Sequence, residues 1–326
     1  MAQSVDSLDL PDVQVTARAP TPTTTFPSQA PFAVRQITPI FRLGQGSFGG
    51  SGFNTVTLKG LRCTVQIEKV IQPDNPTCIL NVFGMTLDQM NSVSRAGAVW
   101  QNRNDNEVAI MAGDSISGQT MIFNGWIKEA FPDGSNPPDM PLVVLGIGGT
   151  QIQFSAPTPV TFKGSVPIAT ALQQIIQGTG LTLENNGVNV NLSNPYFKGS
   201  TMEMIQSACI AADCFYYIDW IKKLLIIYPK NGFRSSQSNI PTVSPDTGMI
   251  NYPTFELQRM KVRTLFDPAL HAPSVPELGM RIQVKSQLTA ANGTWTIVGI
   301  SYNLSSELPN GPWEMALTCM PISAGL

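Results

Sequence analysis

Charge is scarce in this chain: Asp, Glu, Lys and Arg together make up 13% of 326 residues, and the net charge is −2. No strong field of either sign draws it to nucleic acid or to an acidic membrane surface. Histidine is scarcer still, with His271 alone. A Ser-His-Asp triad or a histidine-bearing zinc site would have to be built on it, and it lies in the proline-rich run 268–276, where a plain surface role is the simpler reading. The cysteines (Cys63, Cys78, Cys209, Cys214, Cys319) are odd in number and lack C-x-x-C spacing. Cys209 and Cys214 flank a helix end, poorly placed to share a metal, so they read as small buried hydrophobes with reduced thiols. The first ten residues have neither the basic start nor the apolar run of a signal peptide, and no later stretch is apolar for long enough to span a bilayer. A weakly charged chain rich in Thr, Ser, Asn and Gln fits a protein whose surface is covered in an assembly.

What is present is a repetition. Phe162-Lys163-Gly164-Ser165 returns as Phe197-Lys198-Gly199-Ser200, and each copy leads into a segment with helical periodicity. Ile168, Leu172, Ile175 and Ile176 fall on one stripe of the first helix; Met202, Ile205, Cys209 and Ala212 fall on one stripe of the second. Ser165 and Ser200 are placed as N-caps. Asn186-Gly187 predicts a two-residue hairpin turn after the first helix, and residues 215–228 predict a hairpin after the second. This is a small α/β module, expected over residues 159–240.

The flanks read as β. Residues 1–34, rich in Thr and Pro, are expected to form an extended arm. The Gly44–Gly50 loop matches G-x-G-x-x-G, yet the segment after it reads as a strand rather than a helix. There is also no H-R-D or D-F-G partner, so a glycine loop between strands is expected in place of a phosphate cradle. In residues 54–154 Cys63, Val65 and Ile67 alternate with polar neighbours, a helical turn capped at Thr86 interrupts, and short strands follow at 107–113, 121–127, 141–145 and 150–154. After a loop-rich stretch the β pattern resumes, with one strand region at 255–266, then 281–286, a turn at Asn292-Gly293, 294–300 and 313–319. The expected fold class is α+β, mainly β: one barrel over residues 35–158, the module, and a second barrel over 241–326.

The order of these parts carries a resemblance. Leu80-Asn-Val-Phe-Gly-Met-Thr-Leu-Asp-Gln-Met-Asn, then Ala109-Ile-Met-Ala-Gly-Asp and Ile122-Phe-Asn-Gly-Trp-Ile-Lys-Glu-Ala, resemble the first barrel of bacteriophage tail baseplate hub proteins. The helix-and-strand pair ending near Tyr228 is similar to their middle domain. Val262-Arg-Thr-Leu-Phe, Gly279-Met-Arg-Ile-Gln-Val, Gly293-Thr-Trp-Thr-Ile-Val-Gly-Ile and Trp313-Glu-Met-Ala-Leu resemble their closing barrel. The resemblance implies a homotrimer with two tail-tube-like barrels per chain, a symmetry adaptor between a six-fold tail tube and a three-fold central spike. It implies an axial channel through which DNA and the tape-measure protein pass without being gripped, contacts with other baseplate proteins, and a place in the virion after assembly in the host cytoplasm.

An enzyme is not expected, and no cofactor, metal or catalytic residue is assigned. The carboxylate pairs Asp105 with Glu107 and Asp133 with Asp139 lie in turn-rich loops, where acidic residues serve turns and solubility. The alternative function is a carbohydrate-binding or wall-degrading tail-tip protein. Its usual sign, a row of exposed aromatics, is missing from the scattered Trp100, Trp126, Trp220, Trp295 and Trp313. The loops 102–107 and 133–139 are the expected contact makers.

Overall fold

The computed structural model describes residues 33–48, 52–71, 73–94, 106–135, 137–149, 158–237, 239–266 and 276–322. The expected arm lies outside them, as do His271, Trp100, Asp105 and the strand at 150–154. The fold is mainly β, and among the described residues no helix is long and apolar enough to cross a membrane.

The first β region holds β1 (Arg35–Arg42), β2 (Thr55–Thr57), β3 (Cys63–Val70), β4 (Thr77–Val82), helix α1 (Leu87–Val93), β5 (Glu107–Asp114), β6 (Gly118–Pro132) and β7 (Leu142–Ile147). The last holds β15 (Thr242–Val243), β16 (Met249–Glu256), β17 (Arg259–Leu265), β18 (Arg281–Val284), β19 (Gly293–Ser306) and β20 (Trp313–Pro321). Two separate barrels are the expectation, but the two regions share one thirteen-stranded sheet, in the order β16-β17-β20-β19-β3-β4-β7-β6-β5-β1-β2, with β18 on β19 and β15 on β18. The joint is β3 against β19, antiparallel from Cys63 opposite Ser306 to Val70 opposite Gly299. Among the described residues the ladder stays open, ending at β2 and β16, so no barrel is closed by backbone hydrogen bonds. The sheet nonetheless curls. Arg35 on β1 donates through Nη1 to the Gly311 carbonyl between β19 and β20 at 3.2 Å, and its guanidinium lies 5.6 Å from the Trp313 ring.

Period-two alternation sets the core. Cys63, Val65 and Ile67 are fully buried, as are Leu80, Val82, Ile282, Leu304 and Leu317, and they form one continuous apolar cluster across both β regions. Phe266 anchors it edge-on to Tyr302 and Trp313, each 5.7 Å away. Such aromatic contacts contribute about 0.5–1.5 kcal/mol each beyond the area they bury.

The described ends of the glycine-rich segment lie between two paired strands, as its sequence context implies. β2 pairs back on β1, Leu43 N donates to Asn54 O at 2.8 Å and Phe48 N to Phe53 O at 3.0 Å. The strand region at 255–266 is instead a hairpin, β16 turning into β17 at Leu257-Gln258. Both turn residues have positive φ, 44° and 65°, a job normally signalled by Asn-Gly, so the pattern hid the turn.

The module comprises β8 (Val160–Thr161), β9 (Ser165–Pro167), α2 (Ile168–Ile175), β10 (Thr182–Asn185), β11 (Asn191–Ser193), β12 (Tyr196–Phe197), α3 (Thr201–Ala211), β13 (Cys214–Asp219) and β14 (Leu224–Pro229). The two repeat copies meet: β8 pairs with β12, and Gly164 and Gly199 turn with φ of 88° and 101°, values a side chain resists. Ile168, Leu172, Ile175 and Ile176 are buried as expected. On α3 Ile205, Cys209 and Ala212 are buried as expected, Met202 is only partly so, and Met204 and Ala208 widen the buried stripe. β13 and β14 form the expected hairpin, but Asn186-Gly187 does not make one, because β10 pairs in parallel with β14. Only one of the two serines caps a helix. Ser200 Oγ accepts from Glu203 N and Glu203 Oε2 accepts from Ser200 N, a capping box like that of Thr86 with Gln89 on α1. Ser165 lies in β9, because Pro167 forces Val166 into extended backbone and itself occupies the N-cap.

Ser200→Ala is expected to cost about 1 kcal/mol in chemical denaturation, whereas Ser165→Ala leaves stability within roughly 0.5 kcal/mol of wild type. Equal losses at both positions would contradict the assignment of the caps.

Candidate assembly surface and the junction behind it

The faces of the module sheet β10-β14-β13 have different partners. Tyr216, Ile218, Leu225 and Ile227 pack with α2 and α3, whereas Tyr217, Ile226 and Tyr228 join the core of the large sheet. Beside this packing sits a polar lock. Arg234 has a side chain only 6% exposed, and its Nε and Nη2 hold the two Glu184 carboxylate oxygens at 2.5 and 2.6 Å. Nη1 holds Glu277 Oε2 at 2.5 Å and reaches the Tyr217 hydroxyl at 3.3 Å. Its backbone N–H donates to Gly279 O at 2.7 Å. One guanidinium therefore ties β10 to the strand-β18 approach, using the fork geometry that lysine lacks. Asn186 completes the lock: it is buried, donates to Glu184 Oε1 and the Ile227 carbonyl, and accepts from Ser235 N and Oγ. The apparent hairpin signal is thus a latch.

Next to the lock lies a cavity of about 330 Å³, bounded by Lys69, Ile122, Tyr217, Trp220, Leu278 and Tyr302 among others. Burial lowers the pKa of Lys69 against the pull of Asp219 and Glu277, and its Nζ stands 5.4 Å from the Tyr302 ring. The Trp220 indole packs on Gly148 and Gly149, where an added Cβ would stand 2.7 and 2.1 Å from ring atoms. Glycine is required there.

The opposite face of the large sheet carries no module. Its register divides it. Across β3, β19 and β20 run Thr64, Gln66 and Glu68, then Ser301 and Asn303, then Glu314, Ala316 and Thr318. Hydroxyls and amides predominate along these three strands, beside Glu68, Ala316 and a Glu314 paired at 2.6 Å with Arg263 of the adjoining β17, which also turns Lys261 to this face. Across β4, β7 and β6 run Ile79, Val143, Leu145, Ile147, Trp126 and Phe131, all at least partly exposed, with Ile79 and Phe131 each 45% so. Exposed apolar side chains contiguous on one sheet face mark a surface that meets another molecule. Alternation in the sequence shows that each strand has an outward face; which outward residues adjoin depends on long-range register, which local pattern does not carry.

In the loops expected to make contacts, the described residues also hold bonds within the chain. In 102–107 the described residues are structural: Asn106 is buried and accepts from Gly44 N, and Glu107 pairs with Arg42. In 133–139 Asp133 Oδ1 accepts from Ser135 N at 3.0 Å and Asp139 pairs with Arg62, so the two carboxylates are not a matched pair. Among the described residues no three His, Cys, Asp or Glu side chains converge as a metal centre requires. Trp220 and Trp313 are buried and Trp126 and Trp295 partly so, and the five cysteines are buried and unpaired.

A family model described as "Baseplate hub gp41" matches residues 41–310. The chain belongs to this baseplate hub family. Members are structural components of phage tails, which makes this protein a tail baseplate component of the virion. No curated protein matches the sequence. The fold is shared with solved tail proteins at very low identity. A tail protein from Neisseria meningitidis MC58 has TM-score 0.58 and 8% identity over 88% of this chain and 96% of that one. The 43 kDa tail protein of prophage MuSo2 from Shewanella oneidensis has TM-score 0.57 and 8% identity over 88% and 97%. An E. coli type VI secretion component, described as structurally similar to the T4 tail proteins gp27 and gp5, has TM-score 0.54 and 10% identity over 87% and 77%.

The lock is expected to make the hub acid-sensitive. Burial alone would raise the pKa of Glu184, but the bonds from Arg234, Asn186 and Ser236 outweigh it and hold the carboxyl below its usual range. A depressed folded pKa gives stability that is complete above the unfolded value of about 4.3 and is lost as pH falls through the folded one. Denaturant titrations from pH 7 to pH 3 are expected to show a steeper loss for wild type than for Glu184→Gln. Arg234→Met, which leaves two carboxylates facing each other, is expected to cost about 3 kcal/mol at pH 7, the low end for a broken buried pair because both acids keep some contact with water. Equal acid profiles, or a neutral Arg234→Met, would contradict the lock.

Proposed function

We propose that the hub is a non-enzymatic homotrimer that adapts the six-fold tail tube to the three-fold central spike. On this reading residues 35–158 and 241–326 are the two tube-like units that three chains repeat into a ring of six. Residues 159–240 are the bracing module and residues 1–34 an arm. The ring encloses an axial passage for DNA and the tape-measure protein, the other baseplate proteins dock around it, and assembly takes place in the host cytoplasm.

The observation that carries this reading is the single sheet that spans both β regions and presents a hydroxyl and amide face along β3, β19 and β20. A polyanion moving through a passage is held back by cationic walls, since each neutralised phosphate releases counterions and adds affinity. Thr, Gln, Ser and Asn with a few carboxylates supply hydration without that grip. The joined sheet also supports rigidity: the two units cannot rotate independently without breaking the β3–β19 ladder.

Electron microscopy of the purified chain, alone and mixed with the spike-like product of a neighbouring gene, tests the reading. Three-fold rings with an axial hole are expected, at least with the spike present. Monomers in both samples would overturn it.

A further inference from the structure

A three-fold ring needs a contact between copies, and two features at different places in the sheet complement each other. The first is the β16–β17 turn. β16 ends the ladder with no strand on its outer edge among the described residues. The turn projects Leu257, which is 92% exposed, beside the half-exposed Phe255. Leu257 and Gln258 both hold left-handed backbone, which bulky residues rarely adopt. The turn is therefore a fixed apolar knob. Its flank is basic: Arg259 faces Glu256 across the hairpin, while Lys261 lies between Thr254 on β16 and Thr318 on β20 and has no ion pair among the described residues.

The second feature is the apolar half of the outward sheet face. Ile79 lies beside Leu145, Val143 beside Phe131 and Ile147 beside Trp126. Glu129, on β6 directly across from Leu145, is the carboxylate set among them, and it too has no ion pair among the described residues. One feature is an apolar knob with an unpaired cation, the other an apolar floor with an unpaired anion.

The outer edge of β16 argues against strand addition as the mode of contact. Pro253 lacks an N–H, and left-handed Asn251 sits where the register shifts between Ile250 and Thr254, so the edge is interrupted where a partner strand would bond. Side chains at the tip carry the contact. Because knob and floor are different surfaces, the contact is head to tail, the kind that closes into a ring when the rotation between copies fits.

We propose that the β16–β17 turn of one copy seats on the β4–β7–β6 face of a second copy, Leu257 against Ile79, Leu145 and Phe131, with Lys261 paired to Glu129. The proposal rests on the trimer reading and names the surfaces that build it.

Sedimentation or mass photometry of the full chain with the spike-like product, near the concentration at which wild type half-assembles, tests it. Leu257→Asp, Glu129→Lys and Lys261→Glu are each expected to weaken assembly at least tenfold, and the double variant Glu129→Lys with Lys261→Glu to recover most of it. All three positions are exposed, so thermal melts should match wild type; if Leu257→Asp melts early, the charge exchange alone decides. Trimers that form equally well in every variant would overturn this contact and leave the trimer reading standing. Wild type that never assembles would overturn the trimer reading first.

Discussion

The pairing of β3 with β19 is the constraint on which the rest of the molecule depends. Residues near 65 and near 303 are separated by most of the chain, yet they exchange hydrogen bonds in unbroken register from Cys63 opposite Ser306 to Val70 opposite Gly299. That ladder turns two β regions into one sheet and their apolar faces into one core. It also fixes which outward residues adjoin, because a slip of one residue would send Cys63, Val65 and Ile67 to solvent and the hydroxyls and amides inward. The polar half of the outward face is as much a product of this register as the core is.

Everything between the two strands in sequence must then be accommodated without prying them apart. The module does so by lending Tyr217, Ile226 and Tyr228 to the large core while keeping its own core with α2 and α3. Arg234 adds direction to that packing, since a guanidinium bound to two oxygens of Glu184 and one of Glu277 fixes an orientation as well as a distance. The cavity beside Lys69 and Trp220 is lined by residues of all three segments.

Local pattern carried the parts of this architecture that depend on local physics. The tandem Phe-Lys-Gly-Ser motif, the apolar stripe of α2, the N-caps at Thr86 and Ser200 and the alternation in β3 are all legible from spacing alone. The failures have identifiable causes. Pro167 overrode Ser165 as a cap; Leu257-Gln258 made a tight turn without a turn residue; Asn186-Gly187 served the Arg234 lock in place of a hairpin. The exposed apolar patch was illegible for a different reason. Ile79, Leu145 and Phe131 are unremarkable in their own strands and become a patch only when β4, β7 and β6 stand side by side. The hub resemblance came from the order of weak motifs over most of the chain, and the family match over residues 41–310 bears it out.

Native-state hydrogen exchange across β3 and β19, followed by mass spectrometry in rising denaturant, tests most directly whether one sheet governs the molecule. The account predicts that the amides of residues 63–70 and 299–306 are among the slowest and exchange together, only through global unfolding. Exchange of either strand through a separate, lower-energy opening, leaving its partner protected, would show two independent β units and contradict it.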